Sequence, residues 1–400
     1  MKNNIDTNFE RALVTLLVSR LNEPRKFIQI VTGPRQTGKT TAIRQALRKT
    51  SLPHRYASAD MAQAQSQEWL KTEWRQARDL ISETSPTALL VVDEIQNVDQ
   101  WSSVVKLLWD EDAWSGIDLR VVLSGSSSLL LQKGLSESLM GRFELLPSTH
   151  WTYSEMRTAF GFSIKDFFLF GGYPAGAALR GDADRWNRYI NDAVVEATLS
   201  KDVFQMENIR KPALMRKLFL LGCKYSAQEI SYRKLLGQLD DKGNTSTIAH
   251  YLDLLASAGL LCGIQKYDAN ELNVRKSSPR LMVFDTSLIS ATAHQAEDLL
   301  NNPELKGHLV ESAVGTYLLA KSKTEMFDVF WWRDDNREVD FVIRKGDNII
   351  ALEVKSGRIK DTKGLYIFRQ RYPEARPLVV GDRNVSIEDF LSGNVPLFIG

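Results

Sequence analysis

The sequence has few cysteines, no long hydrophobic run and almost no excess of charge. Cys223 and Cys262 lack the spacing of a metal site, so we expect two buried thiols in a reducing cytoplasm. The polar residues 1–10 lack the basic and apolar segments of a secretion signal. No stretch reaches the roughly 18–20 apolar residues that a membrane helix needs. These absences predict a cytoplasmic protein without a membrane partner.

The charge of the chain selects no partner by itself. Lysine and arginine number 51 against 49 aspartate and glutamate, which gives a net charge of +2. This balance neither requires nor excludes a nucleic acid, so only a local basic patch can indicate one. With 43% hydrophobic and 25% charged residues in a length of 400, the composition is that of a globular protein with two to four domains.

Strand-like and helix-like segments alternate over residues 1–160. Short apolar runs predict strands at 27–32, 56–59, 89–92 and 119–123. Helical spacing predicts helices at 9–21, 40–49, 68–81 and 101–110. This alternation predicts an α/β fold with a parallel sheet that is covered by helices on both faces.

Three further segments follow the first domain. Residues 161–210 read as a helical connection that is interrupted at Gly171-Gly172-Tyr173-Pro174. Residues 211–276 show helix, turn, helix, helix and a strand pair, the pattern of a winged helix. After a seam at Ser277, residues 277–400 open with a helix and continue with three strands, which predicts a smaller α/β domain.

A phosphate-binding loop is the most specific motif of the sequence. Residues 33–40 fit GxxxxGK[ST] in full, after an apolar strand and before a helix. The glycines let backbone N–H groups wrap phosphates at the helix start, Lys39 reaches the β- and γ-phosphates, and Thr40 offers a magnesium ligand. The predicted ATP-binding residues are Gly33, Pro34, Arg35, Gln36, Thr37, Gly38, Lys39, Thr40 and Thr41.

A second motif supports the first. The apolar run 88–92 leads directly into Asp93 and Glu94. Asp93 is suited to hold magnesium with Thr40, and Glu94 is suited to orient and polarise the attacking water. Without the phosphate-binding loop, this pair would read as a solvated acidic turn.

Two further residues are candidates for the catalytic set. Ser124 directly follows the apolar run 119–123. One interpretation is that it contacts the γ-phosphate or the attacking water, and the alternative is that it belongs to a plain Ser-Gly turn. Arg142 stabilises charge on the transferring phosphoryl group, in its own chain or across a boundary in a homo-oligomer, or forms a surface salt bridge. Both pairs of alternatives stay open from sequence alone.

With these motifs assembled, the chain resembles AAA-type ATPases of bacteria and archaea that carry a C-terminal domain of unknown function. GPRQTGKT, VVDEIQ, LSGSSS and MGR carry the resemblance, which covers nearly the whole chain. It implies an AAA-like core, a helical connection, a winged helix and a nuclease-like end. FGGYP at Phe170–Pro174 also matches a family feature, to which no chemistry attaches.

The last segment carries the pattern of PD-(D/E)xK nucleases. Asp340 lies on one predicted strand, and Glu353 and Lys355 share a face of the next. Asp340, Glu353 and the upstream Glu311 are candidates for a second Mg²⁺ or Mn²⁺ site, with Lys355 positioning a water. The alternatives are a solubilising hairpin edge and a nuclease-like fold without activity. Val339 stands where the superfamily's name motif has proline.

Polar and basic residues in the winged-helix segment are candidates for DNA contacts. Asp240 and Asp241 dilute their charge, so a protein-interaction or spacer role is the alternative. The candidates are Arg233, Lys234, Lys242, Asn244, Thr245, Ser246 and Thr247.

Two hypotheses for function follow. In the first, a magnesium-dependent ATPase moves or licenses a DNA-handling or nuclease-like C-terminal half. In the second, ATP sets the conformation of a signalling or scaffold switch with an inert nuclease-like module. A small-molecule kinase fits poorly, because Glu94 beside Asp93 suits water better than a substrate hydroxyl.

Overall fold

A computed structural model describes residues 9–61, 65–125, 138–204, 209, 211–239, 244–269, 277–293, 296, 298–357, 362–381 and 384–398. The chain divides into two compact units, Met1–Thr149 and His150–Gly400. The division falls before residue 160, where the sequence predicted the end of the first domain.

The first unit is built on a parallel sheet, as predicted. In the described residues this sheet has five strands in the order β2-β3-β4-β1-β5. The strands are β1 Ile28–Thr32, β2 His54–Ser58, β3 Thr87–Asp93, β4 Asp118–Gly125 and β5 Phe143–Pro147. The sequence did not predict the strand β5, because this edge strand is short and only partly buried.

Helices cover both faces of this sheet. Alternate residues of each central strand pack into two separate apolar clusters: Leu90 and Val92 into one, Leu89 and Val91 into the other. This explains why β3 reads as a continuous apolar run rather than an alternating one. The helices are α1 Ala12–Asn22, α2 Lys39–Leu47, α3 Gln67–Arg78 and α4 Trp101–Ser115.

The second unit begins with short helices. They are α5 Tyr153–Phe160, α6 Ile164–Phe170, a 3₁₀ turn Pro174–Leu179, α7 Ala183–Arg188, and the π-helical turns Tyr189–Glu196 and Leu199–Val203. Thr152 and Ser163 form capping boxes at the starts of α5 and α6, which fixes where these helices begin.

The FGGYP segment has a packing explanation that the sequence did not reveal. Asp285 is buried and accepts hydrogen bonds from the N–H groups of Gly172 and Ser287. A Cβ on Gly171 would lie 1.8 Å from the Asp285 carboxylate, and one on Gly172 would lie 2.2 Å from the carbonyl oxygen of Trp151. The two glycines therefore admit a close contact with Asp285 that a larger residue would block.

The next elements follow in the order helix, strand, helix, helix, strand, strand. The elements are α8 Pro212–Lys224, β6 Gln228–Glu229, α9 Tyr232–Gln238, α10 Thr245–Ser257, β7 Leu261–Ile264 and β8 Arg280–Val283. The antiparallel sheet has the order β6-β8-β7. Because β8 lies beyond Ser277 yet pairs with β7, the predicted seam at Ser277 precedes a strand of this sheet.

The last part of the unit is a mixed sheet with a long helix before it. In the described residues the sheet has the order β12-β11-β10-β9, with only β11 and β12 parallel. The three predicted strands are present, as β9, β10 and β11. The elements are α11 Ser287–Thr292, α12 Asp298–Asn301, α13 Pro303–Glu325, β9 Asp328–Asp334, β10 Arg337–Lys345, β11 Asn348–Val354, α14 Lys363–Arg371, β12 Arg376–Val380 and α15 Ile387–Leu391.

Within the described residues, no helix combines the length and the apolar character that crossing a membrane requires.

Candidate functional site

The carboxyl ends of β1, β3 and β4 bring the predicted nucleotide motifs together. Thr32, at the end of β1, leads into the phosphate-binding loop. Ser124 on β4 lies beside Val31 of β1 and follows the residue that pairs with Val92 of β3. Parallel pairing therefore places the loop, Asp93 and Ser124 at one edge of the sheet, as ligand sites in open α/β sheets require.

The loop is closely packed from behind. A Cβ on Gly33 would lie 1.9 Å from the carbonyl oxygen of Ser148, so only glycine fits there. Gly38 has a left-handed φ of 87° at the start of α2, a conformation that glycine adopts without strain. Both glycines of the motif thus have a geometric reason in this chain.

Lys39 is held inside the loop. Its Nζ donates hydrogen bonds to the carbonyl oxygens of Gly33, at 2.9 Å, and Pro34, at 2.8 Å. The side chain is only 6% exposed. The ammonium group is therefore positioned over the loop, where a phosphate would meet it.

Asp93 is the centre of a hydroxyl cluster. Thr40 Oγ1 and Tyr56 Oη each donate to Asp93 Oδ2 at 2.8 Å, and Ser124 Oγ donates to Oδ1. The carboxylate is 4% exposed. The Thr40 hydroxyl and the Asp93 carboxylate are adjacent oxygen donors, the ligand type that Mg²⁺ prefers.

Tyr56 is a site residue that the sequence analysis missed. Burial, with the hydrogen bond to Asp93, raises the pKa of Tyr56 to about 12, so its hydroxyl stays protonated and donates. Tyr56 comes close to Asp93 because Ser58, two residues further along β2, pairs with Asp93 of β3. That register cannot be read from a single sequence.

Glu94 has an unusual backbone conformation. Its φ is 53° and its ψ is 41°, in the left-handed region, which a non-glycine residue enters at a cost. Gln96 Nε2 donates to Glu94 Oε2. The strand β3 ends at Asp93, and the chain turns at Glu94 into the 3₁₀ turn Ile95–Asn97.

Arg11 supports the loop from the residue before α1. Its Nη1 donates to the carbonyl oxygens of Thr37, at 3.2 Å, and Thr149, at 3.0 Å, and lies 3.4 Å from Ser148 Oγ. The Arg11 side chain is buried, and Thr37 Oγ1 lies 3.1 Å from Ser148 Oγ. Arg11 thus ties the loop to the segment that follows β5, a role that sequence analysis did not predict.

Arg142 lies at the other edge of the sheet. It directly precedes β5, whose first residue Phe143 pairs with Ile28 at the start of β1, whereas the loop follows the end of β1. Five strand residues separate the two edges, about 16 Å at ~3.3 Å per residue. Arg142 forms a bidentate pair with Asp110 at 2.8 and 3.0 Å. The in-chain alternative for Arg142 does not fit this geometry, because the side chain cannot span that distance.

The predicted C-terminal residues do come together. Glu311 lies on α13, Asp340 on β10 and Glu353 on β11. Asp340 Oδ2 accepts from the Val354 N–H at 2.7 Å, and Lys355 Nζ donates to Glu353 Oε1 at 2.5 Å. The structure therefore places these residues on α13 and on two neighbouring strands.

An unpredicted arginine also belongs to this cluster. Arg280 of β8 lies with its Nη1 2.8 Å from Glu311 Oε1 and 3.7 Å from Asp340 Oδ1. Burial raises the pKa of Glu311 and of Asp340, and it raises the pKa of Glu353 to about 7. In the described part of the chain, no group of three or more His, Cys, Asp or Glu side chains is arranged to hold a metal ion. The Arg280 guanidinium group lies beside both the Glu311 and the Asp340 carboxylates, so a cation bound by these two carboxylates would face it.

The basic candidates for DNA contacts are partly described. Arg233 and Lys234 are exposed in the first turn of α9. Asn244 caps α10 by accepting from the Ser246 N–H at 3.1 Å, while Thr245 and Thr247 are half-buried. Lys242, Asp240 and Asp241 lie outside the described residues.

Comparison with protein families agrees with the geometry of the first unit. Residues 25–157 match the family model described as an AAA domain. This segment is similar to AAA domains. Residues 161–299 and 306–397 match two domains of unknown function, DUF8612 and DUF4143. The family models divide the second unit later than the predicted seam at Ser277, and they place β8 with the middle domain.

The relatives found among curated proteins are uncharacterized. A protein of Mycobacterium tuberculosis is 26% identical over 82% of this chain and 70% of its own length. One of Methanocaldococcus jannaschii is 26% identical over 67% of this chain and 61% of its own. One of Haemophilus influenzae is 21% identical over 82% of each chain.

Solved structures give weak likenesses. A Walker-type ATPase of Pyrococcus abyssi has a TM-score of 0.49 and 14% identity, over 70% of this chain and 94% of that chain. A RuvB of Thermotoga maritima has a TM-score of 0.33 and 17% identity, over 66% of this chain and 89% of that chain.

Proposed function

We propose that this chain is a magnesium-dependent ATPase. The observation that carries the proposal is the Asp93 carboxylate, which receives the hydroxyl of Thr40 from the phosphate-binding loop and that of Ser124 from the neighbouring strand. These side chains come from three separate segments and meet at the edge where the loop opens. A turn without a ligand has no need for this convergence.

ATP binding rests on the loop and the start of α2. The backbone N–H groups of the loop and the positive end of the helix dipole face the phosphates. Lys39 exchanges its contacts with the carbonyls of Gly33 and Pro34 for contacts with the β- and γ-phosphates. The loop thus keeps the ammonium group in position before the nucleotide arrives.

Thr40 and Asp93 are the residues that would hold magnesium. An Mg²⁺ ion held by these two residues would supply positive charge next to the phosphate oxygens. Tyr56 and Ser124 hold the Asp93 carboxylate in one orientation through its two oxygens. Glu94, the residue that follows β3, orients the attacking water and accepts its proton.

The C-terminal half gives two candidate roles for this ATPase. Exposed Arg233 and Lys234 in the first turn of α9 support a DNA-handling role. Arg280 within the carboxylate cluster supports the second role, in which a nuclease-like block without metal chemistry serves as a partner-binding module of an ATP-controlled switch.

The rate of ATP hydrolysis with and without DNA tests these roles. The DNA-handling role predicts that single- or double-stranded DNA stimulates turnover, and that Arg233→Glu with Lys234→Glu removes the stimulation. Arg185→Glu with Arg188→Glu makes the same change of charge on exposed residues of α7 and serves as the control. Turnover that is indifferent to DNA, with the DNA intact on the same samples, favours the switch.

A further inference from the structure

We propose that Arg280 is the resident cation of the carboxylate cluster formed by Glu311, Asp340 and Glu353. Its guanidinium group takes the place of a divalent metal between Glu311 and Asp340. The cluster is then an ionic lock that joins β8 to the last sheet. This proposal does not depend on the ATPase activity of the first unit.

The position of Arg280 gives the first argument. Its Nη1 lies 2.8 Å from Glu311 Oε1, and it donates to the backbone carbonyl oxygen of Asp340 at 2.8 Å. The Asp340 carboxylate is 3.7 Å away, and Glu338 lies 4.0 Å from Nη2. Among the described residues, Arg280 Nη1 directs its hydrogen bond to the Asp340 carbonyl oxygen. Its contact with Glu311 Oε1 is therefore an ion pair without hydrogen-bond alignment.

Burial gives the second argument. Arg280 is 5% exposed on a strand whose four residues are all buried. A guanidinium group keeps its charge in a protein, and a buried charge is costly unless opposite charges surround it. The carboxylates of Glu311 and Asp340 supply these charges. Substitution of Arg280 by a neutral residue would leave them uncompensated.

Electrostatic exclusion gives the third argument. A divalent ion bound by Glu311 and Asp340 would face the fixed positive charge of Arg280 at short range, in a site with little water to screen it. Lys355 neutralises Glu353 at 2.5 Å in the same cluster. The protein's own cations thus already occupy the positions next to all three carboxylates.

One oxygen of the cluster points to the opposite interpretation. Glu353 Oε2 is buried and has no hydrogen-bond partner among the described residues. A metal site would use this oxygen. The test therefore has to distinguish a cluster that is closed by Arg280 from one that still accepts a cation.

The lock also has a consequence for the fold. Arg280 belongs to the segment that matches the middle family model, whereas Glu311, Asp340 and Glu353 belong to the segment that matches the last one. The Tyr267 N–H donates to the Trp331 carbonyl oxygen at 2.6 Å, a second link between these segments. The two matched segments are therefore joined by an ionic link and a backbone link in one unit.

Thermal melting of the full chain without nucleotide tests the proposal. Wild-type protein is expected to melt at the same temperature in EDTA and in millimolar Mn²⁺. Arg280→Gln is expected to melt lower in EDTA and to regain about 5 °C in Mn²⁺, because the freed carboxylates now bind the ion. Adding Glu353→Gln to Arg280→Gln is expected to reduce that gain.

Two further variants control the experiment. Arg333→Gln removes an arginine of β9 that pairs with Glu229 of β6 and Glu338 of β10, each at 2.6 Å, and this variant is expected to show no response to Mn²⁺. Should Arg280→Gln fail to fold, Arg280→Lys keeps the positive charge and is expected to fold and to melt without a response to Mn²⁺.

Three results overturn the proposal. The first is a Mn²⁺-dependent rise in wild-type protein that Glu353→Gln abolishes. The second is folded Arg280→Gln that gains nothing from Mn²⁺. The third is nicking of plasmid DNA by wild-type protein in Mn²⁺ that Lys355→Ala removes. Unchanged plasmid together with a flat wild-type response supports the lock.

Discussion

At the scale of single residues, Asp93 receives three hydroxyl groups, from Thr40, Tyr56 and Ser124. Thr40 and Ser124 could be named as candidates from the sequence, because Thr40 belongs to the phosphate-binding motif and Ser124 lies near the end of an apolar strand. Tyr56 could not, because its place depends on the register of β2 against β3. The same limit applies to Arg280, whose partners lie 31 and 60 residues further along the chain.

Glu94→Gln is expected to keep ATP binding and to slow hydrolysis by about 100-fold or more, because the water loses the carboxylate that polarises it. Magnesium ligation by Thr40 and Asp93 is unaffected by this change. Single-turnover hydrolysis beside calorimetric ATP binding measures both effects. Hydrolysis at the wild-type rate would assign the water to another group, and Gln96→Ala would be the next variant to measure.

Among the helices and strands, the central strands and the helix α2 after the phosphate-binding loop could be predicted from the sequence, whereas the edge strand β5 could not. Central strands are apolar on both faces, so their sequence differs from that of their surroundings. The sequence FELLP of β5 is partly exposed and carries no such signal. Yet this strand ends beside the loop, since Ser148 and Thr149 contact Arg11.

Arg11→Gln is expected to weaken ATP binding by about tenfold, because the loop loses charge-assisted hydrogen bonds that hold it from behind. Arg11 contacts the loop through the Thr37 carbonyl oxygen, so the effect should appear as a higher KM with kcat little changed. Arg11→Lys keeps the charge and should recover part of the affinity. An equal loss of kcat in both variants would contradict a positioning role.

Asp285 gives a pH dependence to the packing of the FGGYP segment. Burial raises the pKa of Asp285 from 3.8 to about 6, so between these values the folded protein takes up a proton that the unfolded chain does not. The resulting stability is present at acid pH and is lost as the pH rises through 6. Wild-type protein should therefore gain stability over Asp285→Asn between pH 7.5 and pH 5. Urea unfolding at both pH values measures this, and an unchanged difference between the two proteins would contradict it.

At the scale of the whole molecule, Arg142 raises the question of assembly. Its pair with Asp110 lies at the sheet edge opposite the phosphate-binding loop. A contact between Arg142 and a nucleotide therefore requires a second copy of the chain. The hydrogen bond from Arg142 holds the pKa of the Asp110 carboxyl below its usual value. On assembly, Arg142 would exchange this hydrogen bond for contacts with phosphate oxygens.

Arg142→Ala is expected to retain ATP binding and to lose turnover, because the phosphoryl group of the neighbouring subunit loses a stabilising charge. Mixing Arg142→Ala with Glu94→Gln should restore some activity, since hybrid interfaces contain one intact site. Asp110→Ala releases the same arginine without removing it and serves as the control. Absence of rescue, with a monomer by light scattering, would leave Arg142 a surface ion pair.

Calorimetric titration of wild-type protein and Lys39→Ala with ATP and magnesium tests most directly whether the phosphate-binding loop binds ATP through Lys39. We expect wild-type protein to bind ATP and Lys39→Ala to lose affinity by about 100-fold or more, since the phosphates lose their charged partner. Thermal melting of both proteins without nucleotide shows that the variant is folded. Equal affinity in the two folded proteins would contradict the account.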